Sequence, residues 1–272
     1  MCKGLTDLIS AQKNLKTFDI KQVEVDELED EIPSLITALP NTLIKLNISG
    51  ENNISLSLIT KLTDLQELKL FFNHNEDFRD FEELQYVVFP RLQILKIERA
   101  CPGYELLIKF LENNGKNLKE LYIGDIEGYS DNSLNLAIAK FCPNLRKLSA
   151  GFKNNESETL KIVFKSCQYL ESFNIWCGGE FLSEKETLEV IAKYSHKNIY
   201  ELILNYLDYT GPKLLPEELE DFFISWKNRI SQGSLSLVVI NYDTNSSDIN
   251  DKNLEIIDKY IKLGVIKRFT TY

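Results

Sequence analysis

"NLKELYIG", residues 117 to 124, carries apolar side chains at Leu118, Leu121 and Ile123 with charged or polar ones between them. A strand alternates with period two and a helix recurs every three to four residues, so a gap of three followed by a gap of two matches neither. The same frame returns along the chain. "NLKTFDI" supplies Leu15, Phe18 and Ile20, "TLIKLNI" Leu43, Leu46 and Ile48, and "DLQELKL" Leu65, Leu68 and Leu70. "RLQILKI" supplies Leu92, Leu95 and Ile97, "NLRKLSA" Leu145, Leu148 and Ala150, and "YLESFNI" Leu170, Phe173 and Ile175. "NIYELIL" gives Ile199, Leu202 and Leu204, "SLSLVVI" Leu235, Val238 and Ile240, and a weaker "VIKRFTT" Ile266, Phe269 and Thr271. Successive anchors lie 22 to 36 residues apart, most of them 25 to 29.

That interval is the leucine-rich-repeat period of about 20 to 29 residues. The first apolar residue anchors the approach to a short strand, the next two point inward from it, and the residues between them face solvent. One such unit cannot bury its apolar face, so the units must stack. The expected fold is an α/β leucine-rich-repeat solenoid, a horseshoe with a parallel sheet on its concave face and helices on its convex face. The frame runs almost from end to end, which predicts one domain over 1–272 of about ten repeats.

Between the strands, apolar residues recur at helical spacing. "LLIKFLENNG" (106 to 115) puts Leu106, Leu107, Phe110 and Leu111 on one stripe, and "SLNLAIAKFC" (133 to 142) does the same with Leu134, Leu136, Ile138 and Phe141. "TLKIVFKSC" (159 to 167), "TLEVIAKY" (187 to 194) and "NLEIIDKYIKL" (253 to 263) continue the theme. Ser130 or Asp131, Ser183, and Asn250 or Asp251 stand where N-caps belong. The 36-residue step from Ile199 to Leu235 holds "YTGPKLLPEEL" (209 to 219), read as a longer loop before a helix starting near Pro216. The acidic run "EVDELEDEIP" (24 to 33) reads as a solvated loop or helix face. The chain opens on what reads as the tail of a helix, "GLTDLIS" (4 to 10), and stops within its last strand. That pattern suggests an array cut from something longer, or one capped by a partner.

The composition, 43% hydrophobic and 26% charged, is that of a folded chain with ample core material. A net charge of -10 argues against a general nucleic-acid or membrane-surface binder, each of which needs a basic footprint. No apolar run approaches the 18 or so residues that span a bilayer, and the N-terminus lacks the features of a signal peptide, so the expected compartment is cytoplasmic or nuclear. Cys2, Cys101, Cys142, Cys167 and Cys177 are odd in number and show no metal-ligand spacing, which predicts reduced, structural thiols and no metal.

At "SDNSLNLAIAKFCPNLRKLSAG" (130 to 151) the pattern becomes more specific. A polar turn, a leucine-bearing helix and "CPNLRKL" (142 to 148) resemble the cysteine-containing leucine-rich-repeat subclass of F-box/LRR proteins, and "SCQYLESFNI" (166 to 175) is a partial second copy with Cys167 at the matching place. The resemblance implies the substrate-recognition arm of a cullin-RING ubiquitin ligase, in which an F-box docks on a Skp-type adaptor and a cullin. The chain departs from that pattern because only 14 residues precede the first strand, too few for an F-box. "LLPEELEDFFISW" (214 to 226) mimics an F-box opening but sits inside the array, just before a strand.

Catalytic material is sparse. His74 and His196 lie in different repeats, "CGGE" (177 to 180) is a turn after a strand without the Lys and Ser/Thr of a P-loop, and no carboxylate pair is brought together by spacing. A non-enzyme without cofactor is expected, binding a protein partner on the concave face. The frame places Phe71, Lys96, Tyr122, Asn174, Trp176, Ile203 and Asn205 on that face, together with Leu237 and Val239. Aromatic and aliphatic residues there have no core to fill, so they are candidate anchors unless a neighbouring loop covers them. Two other classes remain open: a stand-alone scaffold with no link to ubiquitin, and an enzyme regulator working through an exposed arginine such as Arg79 or Arg99.

Overall fold

A computed structural model describes residues 3–21, 32–50, 55–124, 129–206, 214–229, 233–241 and 250–272. The acidic run over 24–31, the start of the long loop at 209–213, and Cys2 lie outside the described residues. Two compact units divide the chain, Met1–Asp125 and Ile126–Tyr272.

In the first unit the strands are β1 (Thr17–Lys21), β2 (Lys45–Gly50), β3 (Glu67–Phe72), β4 (Ile94–Arg99) and β5 (Glu120–Ile123), paired parallel in chain order. Their register aligns the recurrent frame, with Ile48, Leu70, Ile97 and Ile123 in one row and Leu46, Leu68, Leu95 and Leu121 in the next. All of these are buried, as are the anchors Leu43, Leu65, Leu92 and Leu118. The inward triads expected from the spacing therefore form the core in β2 to β5, while Leu15, Phe18 and Ile20 of the first repeat are only half-buried. The connecting helices are α1 (Lys3–Ala11), α2 (Ile32–Ala38), α3 (Phe81–Leu84) and α4 (Tyr104–Asn114), with 3-10 turns at Leu56–Ile59 and Asn75–Asp77. The 22-residue step from Leu43 to Leu65 leaves no room for an α-helix after its strand and loop, so one 3-10 turn burying Leu56 and Ile59 replaces it. Phe72, Phe78, Phe81, Phe110 and Phe89 form a chain of ring contacts at 4.9 to 6.1 Å that fills the space behind β3 and β4.

The second unit holds β6 (Lys147–Ala150), β7 (Ser172–Trp176), β8 (Glu201–Tyr206), β9 (Leu235–Asn241) and β10 (Ile266–Thr271), again parallel and in chain order. Its helices have 10 to 12 residues each: α5 (Asn132–Phe141), α6 (Ser157–Ser166), α7 (Glu184–Tyr194), α8 (Pro216–Lys227) and α9 (Asp251–Lys262). Three of the expected caps form. Asp131 Oδ1 accepts from Leu134 N at 2.9 Å, Ser183 Oγ from Glu186 N at 3.3 Å, and Asn250 Oδ1 from Lys252 N at 2.9 Å. Ser130 does other work, donating to the buried Glu156 carboxylate at 3.0 Å. That carboxylate also accepts from Asn135 Nδ2 and Lys153 N, which ties the start of α5 to the turn before α6. Leu136, expected on the inward stripe of α5, is 39% exposed, because Asn135 and Ala137 take the inward arc beside Leu134 and Ile138. The F-box-like stretch is α8, whose Phe222, Phe223 and Trp226 are core residues.

One strand departs from the expected frame. In β9 the buried residues are Leu235, Leu237 and Val239, while Val238 and Ile240 are half-exposed. Pairing of Leu202 with Leu237 and of Leu204 with Val239 fixes this register. Every other repeat spends two residues between its anchor and the first inward strand residue, whereas β9 spends one. "SLSLVVI" is apolar on both faces over its second half, so the pattern alone could not select the face, and a slip of one residue exchanges the two. The pairing of β10 with β9 absorbs the difference as an irregularity between Ile266 and Arg268.

Candidate functional site: the open strand faces

The outward residues of β3, β4 and β5 form rows across the strands. Lys69 stands opposite Lys96, which stands opposite Tyr122, while Phe71 stands opposite Glu98. None of the five is buried. The side chains are ordered by one another. Lys69 pairs with Glu98 at 2.7 Å, and Lys45 with Glu67 at 2.8 Å; the hydrogen bond to the Glu67 carboxylate raises the Lys45 pKa above its ordinary value. Lys96 Nζ lies 4.7 Å from the Tyr122 ring centroid, and the Tyr122 hydroxyl donates to Glu120 at 3.2 Å. The Phe71 ring is covered by the Arg99 guanidinium at 5.0 Å and by Lys69 at 5.7 Å. Arg99 itself donates to Asn73 Oδ1 at 3.0 Å and holds a left-handed backbone, with φ at 64°. The structure thus brings together Phe71, Lys96 and Tyr122 and adds Arg99, which the strand count missed because it lies one step past the last outward position.

In the second unit Asn174 stands opposite Ile203, and Ile203 opposite Val238. Ile203, Val238 and Ile240 make a half-exposed aliphatic group. Val238 and Ile240 were missed through the register slip in β9. Two expected anchors are not available to a partner. Trp176 and Asn205 are each 1% exposed, against the expectation that they face solvent. For Trp176 the cause is the segment after β7. Gly178 and Gly179, with φ at 77° and 63°, turn the chain back on itself, so that Phe181 forms an antiparallel bridge with Lys153 and joins Trp176 in one buried cluster. Leu182 N donates to Phe152 O at 2.9 Å and Asn154 N to Glu180 O at 3.0 Å, which clamps this lid to the preceding repeat. Gly151 is obligatory beneath it, since a Cβ there would lie 2.7 Å from the Phe181 ring and from Tyr129 O. Asn205 Nδ2 donates to Asn174 Oδ1 beside the indole. The signal for the lid was present in "CGGEFL", a glycine pair followed by two apolar residues.

The groups that could do chemistry are placed for structure. Cys101, Cys142, Cys167 and Cys177 are reduced and buried, and burial pushes the Cys101 and Cys167 thiols up to about 12. His74 begins the Asn75–Asp77 turn, its backbone N–H donating to Asp77 at 3.0 Å. Among the described residues no group of three or more His, Cys, Asp or Glu side chains could hold a metal ion, and no helix is long and apolar enough to cross a membrane.

No protein-family model matches the chain, and no curated protein does. Among solved structures the chain is similar to the leucine-rich repeat-containing protein LegL7 from Legionella pneumophila, at 16% identity over 87% of this chain and 77% of that one, with a TM-score of 0.49.

Proposed function

We propose that this chain is a non-catalytic protein-binding repeat module whose partner docks on the open strand faces, with Phe71, Lys96 and Tyr122 as principal contacts in the first unit. Ile203, with Val238 and Ile240, offers a second, aliphatic patch in the other unit. The observation that carries the reading is the pair of half-exposed aromatics, Phe71 and Tyr122, held in place by cations on a face that carries no core. Side chains ordered before binding lose less entropy on docking, and aromatic residues dominate interface energetics.

The test is affinity capture from the source cells with quantitative mass spectrometry, comparing the unmodified chain with Phe71→Ala/Tyr122→Ala. Loss of a partner by that variant, with circular dichroism unchanged, is expected. Retention of every partner by it, with loss on charging the helix surface at Leu136 and Ile162, would place the docking face elsewhere. A narrower reading follows from the "CPNLRKL" junction: the arm of an F-box subunit, with a Skp-type adaptor and a cullin as further partners. Its support is that Cys142 and Cys167, at matching places in consecutive repeats, are both buried, with Cys167 Sγ 3.4 Å from Cys142 O. Co-purification of the adaptor and cullin with the natural gene product would favour it; their absence leaves the stand-alone scaffold.

A further inference from the structure

We infer that the strand face of the first unit takes an acidic, extended segment of its protein partner, with carboxylates held by Lys96 and Arg99 and apolar side chains laid against Phe71 and Tyr122. This rests on the strand-face reading above and adds the chemistry of the partner. The chain carries a net charge of -10, yet three cations, Lys69, Lys96 and Arg99, gather at the outward positions and the end of two adjacent strands. Lys69 and Lys96 stand directly opposite each other, an arrangement that like charges disfavour.

Only Lys69 has its charge answered, by Glu98 at 2.7 Å. Lys96 and Arg99 have no carboxylate partner among the described residues; each lies over an aromatic face instead. Stacking of that kind orders a cation without neutralising it, so the charge remains available to a ligand. Arg99 is also held by Asn73 and by a backbone conformation that residues with a Cβ adopt at a cost. The product is a pair of aimed cations flanked by two ring faces. A carboxylate supplies the ion pair that both lack, and an extended chain alternates its side chains so that acidic and apolar residues can meet the cations and rings in turn. Glu67 and Glu120 on the neighbouring outward row repel carboxylates, so the acidic residues of the segment must lie at the Lys96 and Arg99 end of the strands.

The test is fluorescence anisotropy on the full chain, with a fluorescein-labelled peptide of alternating glutamates and apolar residues, its lysine counterpart and its phosphoserine counterpart. The glutamate peptide should bind, more tightly at low salt, and the lysine peptide should not. Lys96→Gln and Arg99→Gln should each weaken binding by about tenfold or more, while Lys197→Gln, on the turn after α7, should leave it unchanged. Equal binding of the lysine peptide, or wild-type binding by both variants, overturns the inference. Binding of the phosphoserine peptide alone overturns the choice of a carboxylate. A captured natural partner lost in Phe71→Ala/Tyr122→Ala but retained in Lys96→Gln/Arg99→Gln leaves the strand-face reading standing and removes the acidic segment. Retention in both removes both.

Discussion

At the scale of single residues, the indole of Trp176 occupies an outward strand position by count, and a lid two residues further on makes it core. Its position in the strand was readable from the leucine frame; its burial depends on Phe181, Lys153 and Gly151, which the frame does not relate to it. Trp176→Ala should therefore destabilise the fold by about 3 to 5 kcal/mol in urea titrations, the cost of a large buried aromatic. The indole N–H finds no hydrogen-bond partner among the described residues, so Trp176→Phe should cost much less than the alanine. The thiols give a second residue-scale expectation. Burial raises the pKa of Cys101 and Cys167 to about 12, so their thiolate fraction is negligible at neutral pH and grows only as pH rises toward that value. With DTNB at pH 7, all four described thiols should react only as fast as the protein opens. Rapid labelling of any one would contradict its burial.

Secondary-structure elements were legible to the degree that their signals are local. Asp131, Ser183 and Asn250 cap helices as their side-chain chemistry requires, and Pro216 opens α8. The short second repeat ends in a 3-10 turn because its length forbids more. β9 is the exception, since both candidate faces are apolar and only pairing with β8 selects one. The register makes an asymmetric prediction for neighbouring valines. Val238→Lys, on the open face, should change stability by no more than about 0.5 kcal/mol, whereas Val239→Lys should cost at least about 3 kcal/mol by placing a charge in the core. Thermal or urea unfolding of the two variants decides it; the reverse order would restore the face that spacing alone suggested. The same register places Val238 and Ile240 beside Ile203 and Asn205, a grouping invisible in the linear count.

Across the whole molecule the two units differ in how their strands are backed. The first mixes an 11-residue α4 with the 4-residue α3 and 3-10 turns, while α5 to α9 in the second have 10 to 12 residues each. Repeats draw stability mainly from their nearest neighbours, so unequal backing translates into unequal local stability. Both tryptophans, Trp176 and Trp226, lie buried in the second unit and report on it alone. Far-ultraviolet circular dichroism should accordingly begin to fall at lower urea than tryptophan emission shifts; coincident curves would mean that the chain unfolds as one cooperative body. The amino-acid order by itself determined the repeat, its inward triads and its helix caps, because those depend on residues within a few positions of one another. The tertiary structure decided which outward side chains are covered, which face β9 presents, and which cations share a patch. The face of β9 and the cation patch are settled by residues about one repeat away, and the cover over Trp176 by Phe181 five residues on, clamped to the preceding repeat at Lys153, through pairing and packing that the leucine spacing does not record.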